Sequence, residues 1–236
     1  QKLVRKAKES QCAVFYDIDD LIFDYDKIRF LHFLEGEEYR GFEKTTKEIH
    51  YCMDLCDGYI TSTETLAEQI RAEFPKKPVV VNRNCASMEM QVLSYDALRM
   101  KEHSDKLYIG YFSGSGTHDR DFALIEDVLL EVMDRYPNVY LKLVGVLSEN
   151  RMKRMQNRIE KLGFMEWQKL PSVIAGVDIS LMPLEDSLFH CCKSENKWME
   201  AAWVKVPSVM SRNRELEHVV ENKKTGFLCS TKEEWT

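Results

Sequence analysis

Three groups of residues in this sequence have types and spacing that could do chemistry. In VFYDIDDLIFD, residues 14–24, Asp17, Asp19 and Asp20 stand directly behind a short apolar run. One aspartate of a D-x-D pair placed so can attack phosphorus while Mg²⁺ holds the other; the plain alternative is the polar end of a strand. The turn Ser113-Gly114-Ser115-Gly116-Thr117 lies between an apolar run and a helical pattern, with Arg120 close behind. Free backbone N–H groups there make an anion seat, and a guanidinium can pair a diphosphate bidentately. No Lys-Ser or Lys-Thr follows the glycines, so it is not a Walker loop, and glycines at such a place also serve as turn chemistry alone. In residues 180–211, Lys193 and Ser194 precede Glu200. An ammonium and N–H groups at a helix start suit a diphosphate, and a carboxylate two turns inward can accept from paired hydroxyls such as those of a ribose. The competing reading is a capped amphipathic helix with Glu200 exposed.

The elements that must position these groups follow from periodicity. Residues 12–18 predict a strand, 40–57 a helix through Phe42, Ile49, Cys52, Met53 and Cys56, and 58–61 a second strand. Ser62 or Thr63 caps a helix that stops before Pro75, and Pro78 to Val81 form a third strand. Residues 85–105, polar and Met-rich with helical spacing but no strong core face, read as a connection between domains. The alternation then restarts with a strand at 107–112, a helix at 119–135, a strand at 139–146, a charged helix at 149–162 and short strands at 164–167 and 177–182. Ser194 is expected to cap a helix through Ala202, followed by a strand at 207–210 and a helix at 214–221. Strand–helix alternation means α/β with parallel sheets. The expected organisation is a partial domain at 1–84, a linker at 85–105, and a complete Rossmann-like domain at 106–236 whose ligand sits beyond the carboxyl ends of the strands.

Composition narrows the function classes. At 236 residues, 44% hydrophobic and 31% charged, the chain can bury one or two cores. A net charge of −6 argues against nucleic acid as the main partner, because such binding rests on a basic face. No apolar stretch approaches the roughly 20 residues of a membrane span, and no secretory signal is seen, so the expectation is a soluble, cytoplasmic protein. Peripheral headgroup contact through the basic opening KLVRKAK stays open. Seven scattered cysteines, including the adjacent Cys191-Cys192, fit a reducing compartment. His50, Cys52 and Cys56 could share a helical face, but no fourth zinc ligand follows, and buried helix thiols are the reading.

PLEDSLFHCCKSENKWMEAAWVKVPSVMS, with IGYFSGSGTHDRDF and TGFLCSTKEEW, resembles the donor-binding half of GT-B glycosyltransferases, in particular the large family-four group of retaining enzymes. The resemblance covers residues 105–236, and more loosely YDIDDLIFD and VVVNRN upstream. It implies two Rossmann-like parallel-sheet domains, the first incomplete here, with a UDP- or GDP-type sugar donor on the second and a glycan, lipid-linked or protein acceptor on the first. It further implies a hexosyltransferase acting with retention, needing no cofactor and no obligatory metal. Glu200 corresponds to the ribose-holding glutamate, Lys193 and Ser194 to the phosphate-facing segment, and Glu166 and Trp167 to the base-reading backbone, while Gly114, Ser115 and Gly116 face the donor. Lys193 and Arg120 would stabilise the departing diphosphate, and Asp17, Asp19 and Asp20 would belong to the acceptor side. The sequence departs from the pattern at Cys192, where the other glutamate of the pair would stand, and at Tyr111, which follows Gly110 where an arginine is usual. Family members usually carry further strands and helices upstream, so the chain is expected to be a fragment. Two alternatives are a Mg²⁺-dependent haloacid-dehalogenase-like phosphatase using Asp17, and a non-catalytic GT-B-derived interaction module.

Overall fold

The computed structural model describes residues 1–28, 36–101, 104–114, 119–145, 147 and 152–236. The chain divides into two compact units, Gln1–Asn84 with Asp186–Ser194, and Cys85–Glu185 with Glu195–Thr236.

The first unit opens with α1 (Lys2–Glu9), β1 (Phe15–Ile18), α2 (Tyr25–Ile28), α3 (Gly36–Asp54), β2 (Gly58–Thr61), α4 (Glu64–Glu73) and β3 (Val79–Val81). The three strands form a parallel sheet in the order β1-β2-β3, with Tyr16 opposite Tyr59 and Ile60 opposite Val80. Strand alternation turns Phe15 and Asp17 outward, while Ile18 joins Leu21, Phe23, Met53, Tyr59, Leu66 and Ile70 in the core. Each large side chain removed from water contributes about 1.5–3 kcal/mol before conformational entropy is counted. Of the two candidate caps, Thr63 is the one used: its hydroxyl accepts from the Leu66 N–H at the start of α4.

The second unit continues with α5 (Met88–Arg99), β4 (Leu107–Phe112), α6 (Asp119–Ala123), α7 (Glu126–Arg135), β5 (Val139–Val144), β6 (Ile159–Leu162), α8 (Leu170–Ala175) and β7 (Ile179–Met182). The short helix α9 (Leu188–Cys191) belongs to the first unit, and α10 (Asn196–Trp203), β8 (Ser208–Ser211), α11 (Arg214–Val219), β9 (Phe227–Cys229) and α12 (Lys232–Trp235) to the second. Its six strands are all parallel, in the order β6-β5-β4-β7-β8-β9. The order reverses between β4 and β7, so the doubly wound sheet has its switch point there. LYIGYF in β4 is apolar on both faces for this reason. Ile109 and Tyr111 pack with Phe122, Ile125, Leu129 and Met133 on one side, and Phe112 packs with Ile174, Val177, Ala201 and Val204 on the other.

Several elements differ from the sequence reading. Residues 88–99, within the expected connection, are helix α5, which buries Met90, Ser94 and Ala97 against the second unit. The helix expected at 119–135 is broken after Ala123 into α6 and α7. Instead of a charged helix up to Leu162, Met152–Arg158 is a 3-10 helix and Ile159–Leu162 pairs with β5 as the outermost strand. Pairing overrides helix propensity there, and an edge strand with only Ile159 turned partly inward shows no alternation. Residues 164–167 are not a strand: Phe164 is exposed, and Trp167 opens a 3-10 turn that leads into α8. Among the described residues no helix is long and apolar enough to cross a membrane.

Candidate functional site

Each sheet gathers its polar residues at the carboxyl ends of its strands, as parallel sheets do. In the second unit the loops after β4, β5, β7 and β8 are tied together by a few strong contacts. The Ser113 N–H donates to the Val144 carbonyl at 2.8 Å, and Gly145, at φ +100°, lies so close that an added Cβ would stand 1.8 Å from the Ser113 oxygen. The Glu185 N–H donates to Asp121 Oδ1 at 2.8 Å, and the Leu184 N–H to Ser211 Oγ at 2.8 Å. Asp121 is 1% exposed, so this carboxylate fixes the chain leaving β7 rather than facing solvent.

The predicted donor residues take up distinct places around this edge. A Cβ at Gly114 would meet nothing within 4 Å, so open space borders the chain just after β4. Ser115 and Gly116 lie outside the described residues. Arg120, in α6, is half exposed, with Glu185 Oε1 4.0 Å from its guanidinium. Glu200 lies on α10, which packs on β7, β8, α5 and α8, and its carboxylate is half-buried rather than exposed. Burial pushes its pKa above the usual carboxylate range, with Lys197 opposing the shift. Glu166 and Trp167 are exposed on the way from β6 to α8.

Lys193 and Ser194 belong to the first unit, where they meet the carboxyl edge of its sheet. Lys193 Nζ stands 3.4 Å from Asp20 Oδ1 and 4.6 Å from the centre of the Phe189 ring. Asn84, just beyond β3, donates to both Asp19 carboxylate oxygens at 3.1 Å and to Ser194 Oγ at 2.8 Å. The Thr63 hydroxyl donates to the Cys192 carbonyl at 2.9 Å. Ser194 therefore does not cap α10. That helix begins at Asn196 with Glu195 at its cap and no side-chain hydrogen bond, because the Ser194 hydroxyl is engaged by Asn84. Asp17 stays on the outward face of β1, apart from this network. Cys192 is 1% exposed in the core of the first unit. At the end of β2 the hydroxyls of Thr61 and Ser62 are buried with no hydrogen-bond partner among the described residues.

Sequence reasoning missed Asn84, Thr63 as a tie to Cys192, Asp121 and Gly145. Only Gly145 carried a local signal, a glycine directly after an apolar strand. Of His50, Cys52 and Cys56, only Cys56 is buried, two residues beyond the end of α3: it donates its thiol to the Cys52 carbonyl at 3.3 Å and burial raises its pKa, while His50 Nδ1 lies 3.2 Å from the Phe23 carbonyl oxygen. In α1, Arg5 is held by the Tyr51 hydroxyl and Lys8 by Asp57.

The second unit is a doubly wound parallel sheet whose switch point lies between β4 and β7. Residues 107–236, more than half of the chain, match the family described as Glycosyl transferases group 1, and the chain belongs to that family. Its fold is that of GT-B glycosyltransferases. HepE of Anabaena, solved with UDP and glucose, superposes with a TM-score of 0.60 at 14% identity over 98% of this chain and 61% of that one. The pneumococcal O-GlcNAc transferase GtfA, solved with UDP and GlcNAc, gives 0.62 at 12% identity over 99% of this chain and 45% of that one. Sucrose-phosphate synthase of Thermosynechococcus elongatus gives 0.59 at 14% identity over 94% of this chain and 57% of that one. The chain thus spans 45 to 61% of the length of these three proteins. No curated protein matches it in sequence.

Proposed function

We propose that the second unit binds a nucleoside-diphosphate sugar of UDP or GDP type and that the protein transfers the sugar, with retention of configuration, to a glycan, lipid-linked or protein acceptor. The observation that carries this is Glu200: a half-buried carboxylate on the helix after β7, in a chain of the group 1 glycosyl transferase family. Burying a carboxylate costs stability unless it serves a partner, and the vicinal hydroxyls of a ribose are donors that one carboxylate accepts together. UDP in the HepE and GtfA structures supports the same donor class.

In this reading the donor diphosphate lies beyond β4, where Gly114 leaves room for it and Arg120 supplies charge. The C1–O bond breaks ahead of attack, the electron pair goes to the diphosphate, positive side chains stabilise it as it leaves, and an acceptor hydroxyl bonds to C1 from the side the diphosphate leaves while its proton passes to the departing phosphate oxygen. Lys193 takes part by giving up Asp20 for diphosphate oxygens. Glu166 and Trp167 offer backbone groups to the base. The acceptor is held at the carboxyl edge of β1–β3, near Asp17, Asp19 and Asp20, where Asn84 and Asp19 form a polar network. A cytoplasmic setting belongs to the reading, supported by seven cysteines that are all free thiols. No cofactor and no obligatory metal are part of it.

A second reading, an interaction module without transfer, draws on Cys192, whose buried position in the core of the first unit cannot hold sugar hydroxyls as a carboxylate would. The phosphatase alternative gives way to the family membership. Calorimetry with UDP, GDP and dTDP, with and without Mg²⁺, tests the proposal. Binding of UDP or GDP without metal is the expected result, and binding that requires Mg²⁺ contradicts it.

A further inference from the structure

Lys197 lies in the first turn of α10, one turn ahead of Glu200 and apart from the donor residues that the sequence resemblance picks out. The packing of two elements fixes where its ammonium lies. Ala201 and Val204 of α10 pack with Phe112, Ile174 and Val177 on one face of the six-stranded sheet. Tyr111, the residue before Phe112 in β4, packs on the opposite face with Phe122, Ile125 and Leu129. Yet Lys197 Nζ is 5.8 Å from the centre of the Tyr111 ring. β4 is paired on both sides, with Tyr111 opposite Leu143 of β5 and Leu181 of β7, so no side chain passes through the sheet there. The Lys197 side chain therefore reaches from one face to the other around the carboxyl end of β4. Its ammonium comes to lie beyond the strands at the β4–β7 switch point, the place where a doubly wound sheet holds its ligand.

The chemistry at that point suits a phosphate. Lys197 is half-buried, and its long stem carries a point charge that can move within the crevice. The ring beneath it is fixed: Tyr111 is 1% exposed and packs against Phe122 with ring centres 4.9 Å apart. At 5.8 Å the attraction between ammonium and ring is near its outer limit, weak enough to yield to an anion. Burial raises the Glu200 pKa and Lys197 opposes the rise, so the two charges feel each other across one helical turn. A cation at the strand ends and a carboxylate one turn further along α10 follow the order in which a nucleotide presents its diphosphate and its ribose. Of base, ribose and diphosphate, only the last carries the opposite charge, and an ammonium binds it without the fixed geometry that a base edge or a hydroxyl demands.

We infer that Lys197 is a donor ligand of the second unit, its ammonium binding oxygens of the nucleotide-sugar diphosphate. The inference rests on the nucleotide-sugar reading and adds to it a residue that this reading does not contain.

Calorimetry of the whole chain with UDP and GDP, and amide NMR titrations with the weaker ligands uridine and guanosine, test it. The parent is expected to bind one diphosphate more tightly than the matching nucleoside. Lys197→Met keeps the length of the stem and removes the charge; it should weaken the diphosphate roughly tenfold to thirtyfold and the nucleoside less than about twofold, the loss of a charge-assisted hydrogen bond being of that size. Lys197→Arg keeps the charge and should stay within about threefold of the parent for both ligands. Lys197→Gln provides a second uncharged variant should Lys197→Met not fold. Unchanged UDP and GDP affinity in the folded uncharged variant overturns the inference and leaves the nucleotide-sugar reading standing. Equal losses for diphosphate and nucleoside assign Lys197 to the support of Glu200 and also overturn it. A parent that binds neither UDP nor GDP overturns the nucleotide-sugar reading itself, and the inference falls with it.

Discussion

The α-carbon of Gly145 sits against the carbonyl of Ser113 so closely that a methyl group there would overlap the oxygen at 1.8 Å. The two residues leave neighbouring strands, β5 and β4, at the carboxyl edge of the sheet and one strand away from the β4–β7 point where its order reverses. Gly145 also holds φ +100°, where a side chain is strained whatever the space. Glycine thus lets the two loops pass and shapes the room beyond β4.

Gly145→Ala is accordingly expected to destabilise the second unit by about 3 kcal/mol or more, from strain and overlap together. Urea unfolding followed by tryptophan fluorescence checks this. UDP affinity should fall along with stability, because the chain around Ser113 and Gly114 must move.

Lys193 and Asp20 are 173 positions apart and meet at 3.4 Å. If Lys193 exchanges this carboxylate for a diphosphate, Asp20→Asn removes a competitor and Lys193→Ala removes a ligand. The expected outcome is UDP binding tightened about twofold to threefold in Asp20→Asn and weakened roughly tenfold in Lys193→Ala, by calorimetry at low salt.

These particulars show what the sequence makes legible. LYIGYF announces β4 because a strand buried on both faces must be apolar throughout, and the Thr63 cap is visible because its partner lies three residues away. Local chemistry leaves local traces. The edge strand β6 left none, since three of its four residues face solvent. Helix α5 hides its burial in Met90, Ser94 and Ala97, of which only one is strongly apolar. A serine before a helix predicts a cap, but the Ser194 hydroxyl serves Asn84, 110 positions away, and no local pattern reports that. Glu200 was legible as a type and a position, but its half-burial needed the packing of α10 on β7 and α8.

The raised pKa of Glu200 has a defined sign in stability. The folded chain takes up this proton at a higher pH than the unfolded chain. Between the ordinary carboxylate value and the raised one it therefore binds more protons, and stability falls as pH rises. Above the raised value the full cost is present. Glu200→Gln removes it, so its melting temperature should exceed the parent's at neutral pH, with the difference shrinking as pH falls to about 4, the ordinary carboxylate range. Melting curves across that window check it, and a difference that grows towards low pH would reverse the assignment.

The most direct test compares UDP and GDP with their 2′,3′-dideoxy counterparts on the parent chain and on Glu200→Ala, by calorimetry under one set of conditions. With two ribose hydroxyls donating to one carboxylate, the parent should prefer the ribonucleotide by roughly tenfold to a hundredfold, and the substitution should bring the ratio close to one. A preference that survives unchanged in Glu200→Ala would contradict the placement of the ribose on Glu200, and the donor-site account with it.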